Sequence, residues 1–322
     1  MTRLLIVGAG SIGSRHAANA KALGVASIAV TDPDASRRNQ LAASVGAQAF
    51  ETLSEALAWR PSAAVVCNPP VAHVGTALAC ANHDCHLLIE KPLSATNAGV
   101  AELEAAIAQR GLRAAVAYQL RFHPALLRMR ELIRSGSIGA LLSIQAEYGQ
   151  YLPAWRPARD YRETYTAQAA LGGGILLDAS HEIDYVRWLA GEMTAVYASA
   201  AKLSELEMDA EDTAALILRF ESKTIGEIHM DCVQRGYSRR CVLIGSEATV
   251  RWDAMSGLTI TGNTGTTIEA LVPQPNDTYV AEMKAFLDGD VAQHASVADG
   301  RRVVDVVRAA RESTASRREV VL

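Results

Sequence analysis

Aromatic residues are scarce in this sequence. Phe, Trp and Tyr make up 5% of 322 residues, while glycine alone contributes 23. That balance suits an α/β protein better than an all-β one. Cysteine is scarce too. The five (Cys67, Cys80, Cys85, Cys232 and Cys241) are odd in number and form no C-x-x-C. In a chain of this size a disulfide framework is not expected, and a reducing, cytoplasmic setting is. Cys80, His83, Cys85 and His86 crowd together, but the spacing C-x2-H-x-C-H fits no common zinc pattern, so no metal is expected. Long apolar runs are missing. Residues 4–7 are followed at once by Gly8, short of the roughly 7–15 residues of a secretory core. Nothing approaches the roughly 20 apolar residues of a membrane span, so no membrane partner is expected. An excess of positive charge is also missing, since 31 Lys and Arg stand against 35 Asp and Glu. A nucleic-acid binder would show a basic face. What is present is 49% hydrophobic residues over a length that predicts two domains.

The first 120 residues alternate strand and helix. Short apolar runs at 3–7, 27–31, 63–66, 86–89 and 113–117 read as buried parallel strands. Helical spacing fits 11–23, 34–45, 71–81 and 96–109. Alternating units of this kind predict a doubly wound parallel sheet with right-handed crossovers.

The first turn is Gly8-Ala9-Gly10-Ser11-Ile12-Gly13. A lone G-x-G-x-x-G is weak, but this one follows a strand and opens a helix. Gly8 permits the turn, Gly10 lets backbone approach a pyrophosphate, and Gly13 packs helix on strand. The helix start then favours the phosphate anion. Asp32 closes the second strand, nineteen positions after Gly13, where a carboxylate meets ribose hydroxyls. It would repel a 2′-phosphate, so the cofactor is expected to be NAD rather than NADP. Arg37 and Arg38 lie a turn further on, and a solvated helix face accounts for them.

Ligands of such sheets sit beyond the carboxyl ends of strands. Cys67-Asn68-Pro69-Pro70 is one such strand end, and His73 follows at the next helix start as a candidate cofactor contact. Glu90-Lys91-Pro92 ends the strand at 86–89 and places Lys91 at the same edge. A lysine there can hydrogen-bond a substrate hydroxyl or lower its pKa. Glu90 can pair with it or line the pocket.

The second half reads as α+β. A helix at 124–135 precedes an alternating strand at 140–150. Residues 151–170 look irregular and polar-aromatic, and their arginines suggest an acidic or phosphate-bearing substrate group as readily as surface contacts. Gly172-Gly173-Gly174 precede a helix expected from about 175, with Asp178, His181 and Asp184 on one stripe and Glu182 elsewhere. Strand-like runs at 213–220, 224–230, 239–245 and 248–252 suit antiparallel hairpins. Helices near 278–288 and 298–313 close the chain.

In order along the chain stand GAGSIG, CNPPVAH, LLIEKP, YQLRFHP (118–124), LGGGILLDASHEIDYVRWLAG (171–191), YVAEMKAFLDGD and DGRRVVDVVRAARES. This series resembles the glucose-fructose oxidoreductase / inositol dehydrogenase / rhizopine-catabolism (Gfo/Idh/MocA) family over the whole chain. The resemblance implies a Rossmann domain (1–120) and a substrate-binding and oligomerisation domain (121–322) built on a large open, mainly antiparallel sheet. It implies an NAD(P)-dependent oxidoreductase acting on a hydroxyl of a sugar, sugar derivative or cyclitol. A sheet face left open by 171–190 would be covered by a partner subunit, so a homodimer or homotetramer is expected. The family's catalytic lysine, Asp and His fall on Lys91, Asp178 and His181. The candidate cofactor contacts are Gly8, Gly10, Ser11, Ile12, Gly13, Asp32, Asn68, Pro69, His73, Glu90, Lys91 and Gln119. The candidate substrate contacts are Lys91, Arg121, Trp155, Tyr165, Asp178 and His181. One departure is visible. Two residues separate Asp178 from His181 where family members commonly have three, which leaves open which of them reaches the reacting hydroxyl. Asp184 is placed to orient the imidazole. Two other readings stand beside the dehydrogenase: an enzyme with tightly held NAD that oxidises a sugar transiently for epimerisation or glycoside cleavage, and a non-catalytic dinucleotide sensor.

Overall fold

A computed structural model describes residues 2–157 and 159–322. Met1 lies outside the described residues, as does Ala158 within the segment read as irregular. The chain divides into two units, one of residues 1–119 with 275–301 and one of 120–274 with 302–322.

The first unit alternates β1 (Arg3–Val7), α1 (Ser11–Ala22), β2 (Ser27–Thr31), α2 (Ala35–Val45), β3 (Gln48–Phe50), α3 (Leu53–Ala58), β4 (Ala63–Val66), α4 (Pro70–Ala81), β5 (His86–Ile89), α5 (Val100–Arg110) and β6 (Ala114–Val116). All six strands are parallel, in the order β3-β2-β1-β4-β5-β6. Leu4, Leu5, Ile6 and the whole of β4 are buried, which is why these strands read as unbroken apolar runs. The order reverses between β1 and β4, so the crevice for a ligand opens beyond Val7 and Val66. β3 and α3 carry no periodic apolar signal and were not expected. A capping box between Thr52 and Glu55 marks the start of α3. The helix expected from residue 96 begins at Val100, because Gly99 stands in the left-handed region at φ 75°.

The second unit holds α6 (Pro124–Arg134), β7 (Leu141–Gly149), α7 (Leu152–Trp155), α8 (Ile175–Asp178), α9 (Ser180–Ala190), β8 (Met193–Ala201), β9 (Thr213–Phe220), β10 (Ile225–Asp231), β11 (Ser238–Gly245), β12 (Ala248–Asp253), β13 (Gly257–Gly262) and β14 (Gly265–Glu269). β15 (Val320–Val321) adds a short edge, completing nine strands in the order β14-β13-β12-β11-β7-β10-β9-β8-β15. Every pair is antiparallel except β10 with β7. One face is dry: Leu216, Leu218, Ile228, Leu243 and Trp252 are buried, and α6, α8 and α9 pack against it. α6 offers Leu126, Met129 and Leu132 at helical spacing for this purpose. The opposite face leaves Tyr197, Ile217 and Ile225 exposed. Among the described residues no helix is long and apolar enough to cross a membrane.

One boundary needs correction. Residues 121–322 were expected to form a single domain, but 275–301 belongs with the first unit. The cause is hydrophobic. α10 (Asp277–Asp288) buries Met283 and Phe286 in the same cluster as Leu4, Ile6, Val30 and Val65. The last helix, α11 (Val297–Ser316), begins in the first unit and continues in the second.

Candidate active site

In the first unit the glycines have separable geometric roles. Gly8 has φ 102°, and a Cβ there would stand 2.7 Å from the Cys67 carbonyl oxygen. A Cβ on Gly13 would stand 1.9 Å from the Gly8 carbonyl oxygen, so only glycine lets α1 lie this close to β1. A Cβ on Gly10 would meet nothing within 4 Å. Gly10 is the N-cap of α1 and provides no side-chain cap, so the first amides of α1, at Ser11, Ile12 and Gly13, have no side chain bonded to them from the cap position. Asp32 is buried at the end of β2, with Oδ2 accepting the Ala9 N–H at 2.7 Å and Oδ1 the Asp34 N–H at 2.8 Å. Each carboxylate oxygen keeps a second lone pair. Arg38 donates to the Asp32 carbonyl at 2.7 Å, and Arg37 pairs with Asp34.

Two further strand ends carry buried amide oxygens that lack a partner. Asn68 Nδ2 donates to Thr76 at 2.7 Å, which leaves Asn68 Oδ1 unbonded; Gln119 Oε1 is likewise unbonded. Such orphans are rare in proteins, and hydroxyl or carboxamide donors of a dinucleotide would satisfy them. Together with the open Gly10 and the anchored Asp32, they fit NAD.

His73 lies at the expected edge but contacts protein. Its ring is buried, with Nδ1 2.8 Å from the Pro92 carbonyl and Nε2 2.6 Å from the Asn68 carbonyl. Burial pulls its pKa below the ordinary value, against the pull of those carbonyls. It ties the turn after β4 to the turn after β5, at the strand edge where a cofactor contact is expected. Glu90 is committed in the same way: Oε2 accepts the Lys91 N–H at 3.0 Å and Oε1 lies 2.7 Å from Nε2 of His16. His16, fully buried on α1, had not been singled out from sequence. Its ring meets Tyr279 of α10 edge-on at 6.5 Å. Burial first, and then the charge of Glu90, raise the Tyr279 phenol pKa, while Arg15 and Lys91 pull it down. Lys91 itself is half-buried and precedes a cis peptide to Pro92. Cys67, beside Gly8, is no nucleophile, because burial pushes its thiol pKa well up.

In the second unit the glycine run serves Asp178. A Cβ on Gly173 would stand 2.3 Å from the Tyr165 carbonyl oxygen, and the Gly174 N–H donates to Thr166 O at 3.0 Å. That close approach brings two hydroxyls to one carboxylate: Tyr165 donates to Asp178 Oδ1 at 2.8 Å and Thr166 to Oδ2 at 2.5 Å. Asp178 ends α8 and His181 is the second residue of α9, with a break at Ala179. The single helix expected from 175 is therefore two. Both residues are buried. Asp184 accepts Arg121 Nε at 2.9 Å and Nη2 at 2.7 Å in a buried pair. Arg121, a candidate substrate contact, thereby anchors α9. Glu182, wholly buried, pairs with Arg239 at 2.9 Å. Trp155 Nε1 donates to Gln150 O at 2.8 Å, and its ring packs on Tyr148. Cys80 and Cys85 are buried free thiols whose pKa values are pushed up by burial, and no metal-holding cluster occurs among the described residues.

Each of the two units contains a segment that matches a known family model. Residues 2–118 match an oxidoreductase family with an NAD-binding Rossmann fold, and residues 126–251 match the GFO/IDH/MocA C-terminal domain. Myo-inositol 2-dehydrogenase of Thermotoga maritima is 26% identical over 99% of this chain and 98% of its own length. GenD2 from gentamicin A biosynthesis, solved with NAD, superposes with a TM-score of 0.84 at 25% identity, covering 100% of this chain and 97% of its own. Levoglucosan dehydrogenase, solved with NADH and levoglucosan, shares the fold at a TM-score of 0.88 and 20% identity, covering 100% and 99%.

Proposed function

The chain belongs to the Gfo/Idh/MocA family of NAD-binding oxidoreductases, and from that premise we propose how its residues divide the work of a carbinol dehydrogenase. It is an NAD-dependent oxidoreductase for CH–OH groups, in a family of sugar and cyclitol enzymes. When bound, NAD supplies the hydride acceptor. Asp32 receives the ribose hydroxyls and repels a 2′-phosphate, while the uncapped start of α1 takes the pyrophosphate. The substrate is a sugar, sugar derivative or cyclitol.

Lys91 holds the substrate oxygen and stabilises the negative charge that grows on it as its proton leaves. His181 takes that proton and returns it in the reverse direction. Asp178, fixed by Tyr165 and Thr166, holds the substrate or His181. Glu90 and His16 keep the Lys91 turn in place. The observation that carries this reading is the position of Lys91: it stands at the end of β5, on the edge that also carries the glycine loop, Asp32 and the orphaned amides of Asn68 and Gln119.

The test is a panel of sugars, sugar acids, inositols and nucleotide sugars, followed by NADH absorbance. With a substrate found, Lys91→Ala should lower kcat by about 100-fold or more while NAD still binds. Full activity in that variant would overturn the mechanism. The exposed Tyr197, Ile217 and Ile225 support self-association through the open face of the nine-stranded sheet. Light scattering should give a mass of two or four chains, and a monomer at micromolar concentration would reject this. Five unbridged thiols suit a reducing, cytoplasmic setting.

A further inference from the structure

Between β7 and the glycine run, the second unit forms a small pocket with about 10 Å³ of enclosed space, partly open to solvent. The rings of Trp155 and Tyr161 line it with Leu152 and Thr166. Arg156 and Arg159 line it as well, and both are exposed. Three other arginines of this unit are already neutralised. Arg162 pairs with Asp160 at 2.6 Å and with Glu207 at 2.9 Å, Arg239 with Glu182, and Arg311 with Glu211. Arg156 and Arg159 have no carboxylate within ion-pair distance among the described residues. A backbone bond from Arg159 N–H to Arg156 O at 2.9 Å holds the two in one turn. Both guanidinia therefore face one pocket without a protein carboxylate, and planar guanidinia match carboxylate and phosphate oxygens in pairs.

We propose that this pocket takes an anionic substituent, a carboxylate or phosphate, of the substrate. The substrate is then a sugar acid or a sugar phosphate rather than a neutral sugar or cyclitol. The inference rests on the dehydrogenase reading, because Thr166 is shared: it lines the pocket and donates to Asp178. The aromatic rings offer apolar surface to the C–H side of the sugar ring, and the arginines sit where the charge would be.

The test is equilibrium binding to the full chain loaded with NADH, by calorimetry, with D-glucuronate, glucose 6-phosphate, glucose and myo-inositol. At least one of the two anions should bind 10-fold or more tighter than either neutral compound, and the stronger arm identifies carboxylate or phosphate. That affinity should fall as salt rises. Arg156→Gln and Arg159→Gln should each lose about 10-fold, roughly 1.4 kcal/mol. Arg235→Gln, a nearby cation seated on Tyr151, should lose nothing. Equal binding of neutral compounds, insensitivity to both substitutions, or an equal loss in Arg235→Gln would each overturn the proposal. If a substitution prevents folding, the anion preference and salt dependence of the unaltered chain still decide. Binding requires no turnover, so the two readings fail separately. NADH formation without anion preference rejects the pocket alone. Anion binding with no NADH formed from any compound rejects the dehydrogenase alone.

Discussion

His123 shows what a single buried residue imposes on the pH range of this fold. Its Nδ1 accepts the Ala125 N–H at 3.2 Å and so caps α6, and its ring lies 4.8 Å from that of Trp252. Burial, and then the charge of Arg239, push its pKa down to about 4. In the unfolded chain the same imidazole titrates near 6.5, so the unfolded state takes up the proton first. Stability from this residue is complete above pH 6.5 and is lost as pH falls towards 4. The gap of about 2.5 in pKa corresponds to roughly 3 kcal/mol at the acid end. His73 is depressed in the same direction, chiefly by burial, and adds to the slope. Urea midpoints between pH 7.5 and 4.5 should therefore decline. In His123→Asn, which keeps a capping oxygen and cannot titrate, the decline should be shallower. Parallel slopes for the two proteins would reject the assignment.

At the scale of elements, the turn between β1 and α1 separates packing from binding. Gly10 has ordinary backbone angles and open space around it, so Gly10→Ala should cost under about 1 kcal/mol of stability, the size of a lost N-cap preference. It should weaken NAD binding about 10-fold or more, because the methyl occupies the side from which the pyrophosphate approaches. Gly13→Ala should behave in the opposite way. Alanine gains about 1 kcal/mol of helix propensity, but its Cβ would stand 1.9 Å from backbone oxygen, and overpacking of this kind costs about 1–3 kcal/mol or more. Melting temperature of the ligand-free protein and NAD titration distinguish the two, and a stability loss in Gly10→Ala as large as in Gly13→Ala would sink the distinction. These features were legible in the sequence because each rests on a residue type at a strand end. The break at Ala179 was not legible, since Asp178 and His181 keep helical spacing across it. Nor were the partners of Asp178 and Glu90. Tyr165 and Thr166 reach Asp178 through the close approach at Gly173, and His16 meets Glu90 across 74 positions of chain. β3 escaped because Gln48 and Ala49 are exposed and leave no buried run to read.

At the scale of the whole molecule, the return of residues 275–301 to the first unit is the feature least visible in sequence. α10 has the amphipathic pattern of any surface helix, and that pattern does not name the core it covers. The structure does. Phe286 is 2% exposed and packs in the cluster that holds Leu4, Val30 and Val65. Phe286→Ala should therefore cost about 3–5 kcal/mol, a loss suffered by the NAD-binding unit although the residue lies far along the chain. NAD binds the folded unit, and at 100 times its Kd it returns about 2.7 kcal/mol by mass action. Scanning calorimetry of the variant should thus show a lowered transition that NAD raises most of the way back. A transition unmoved by the substitution would mean that this segment adds nothing to the core of the first unit. A lowered transition that NAD fails to raise would mean that the unit destabilised is not the one that binds the cofactor.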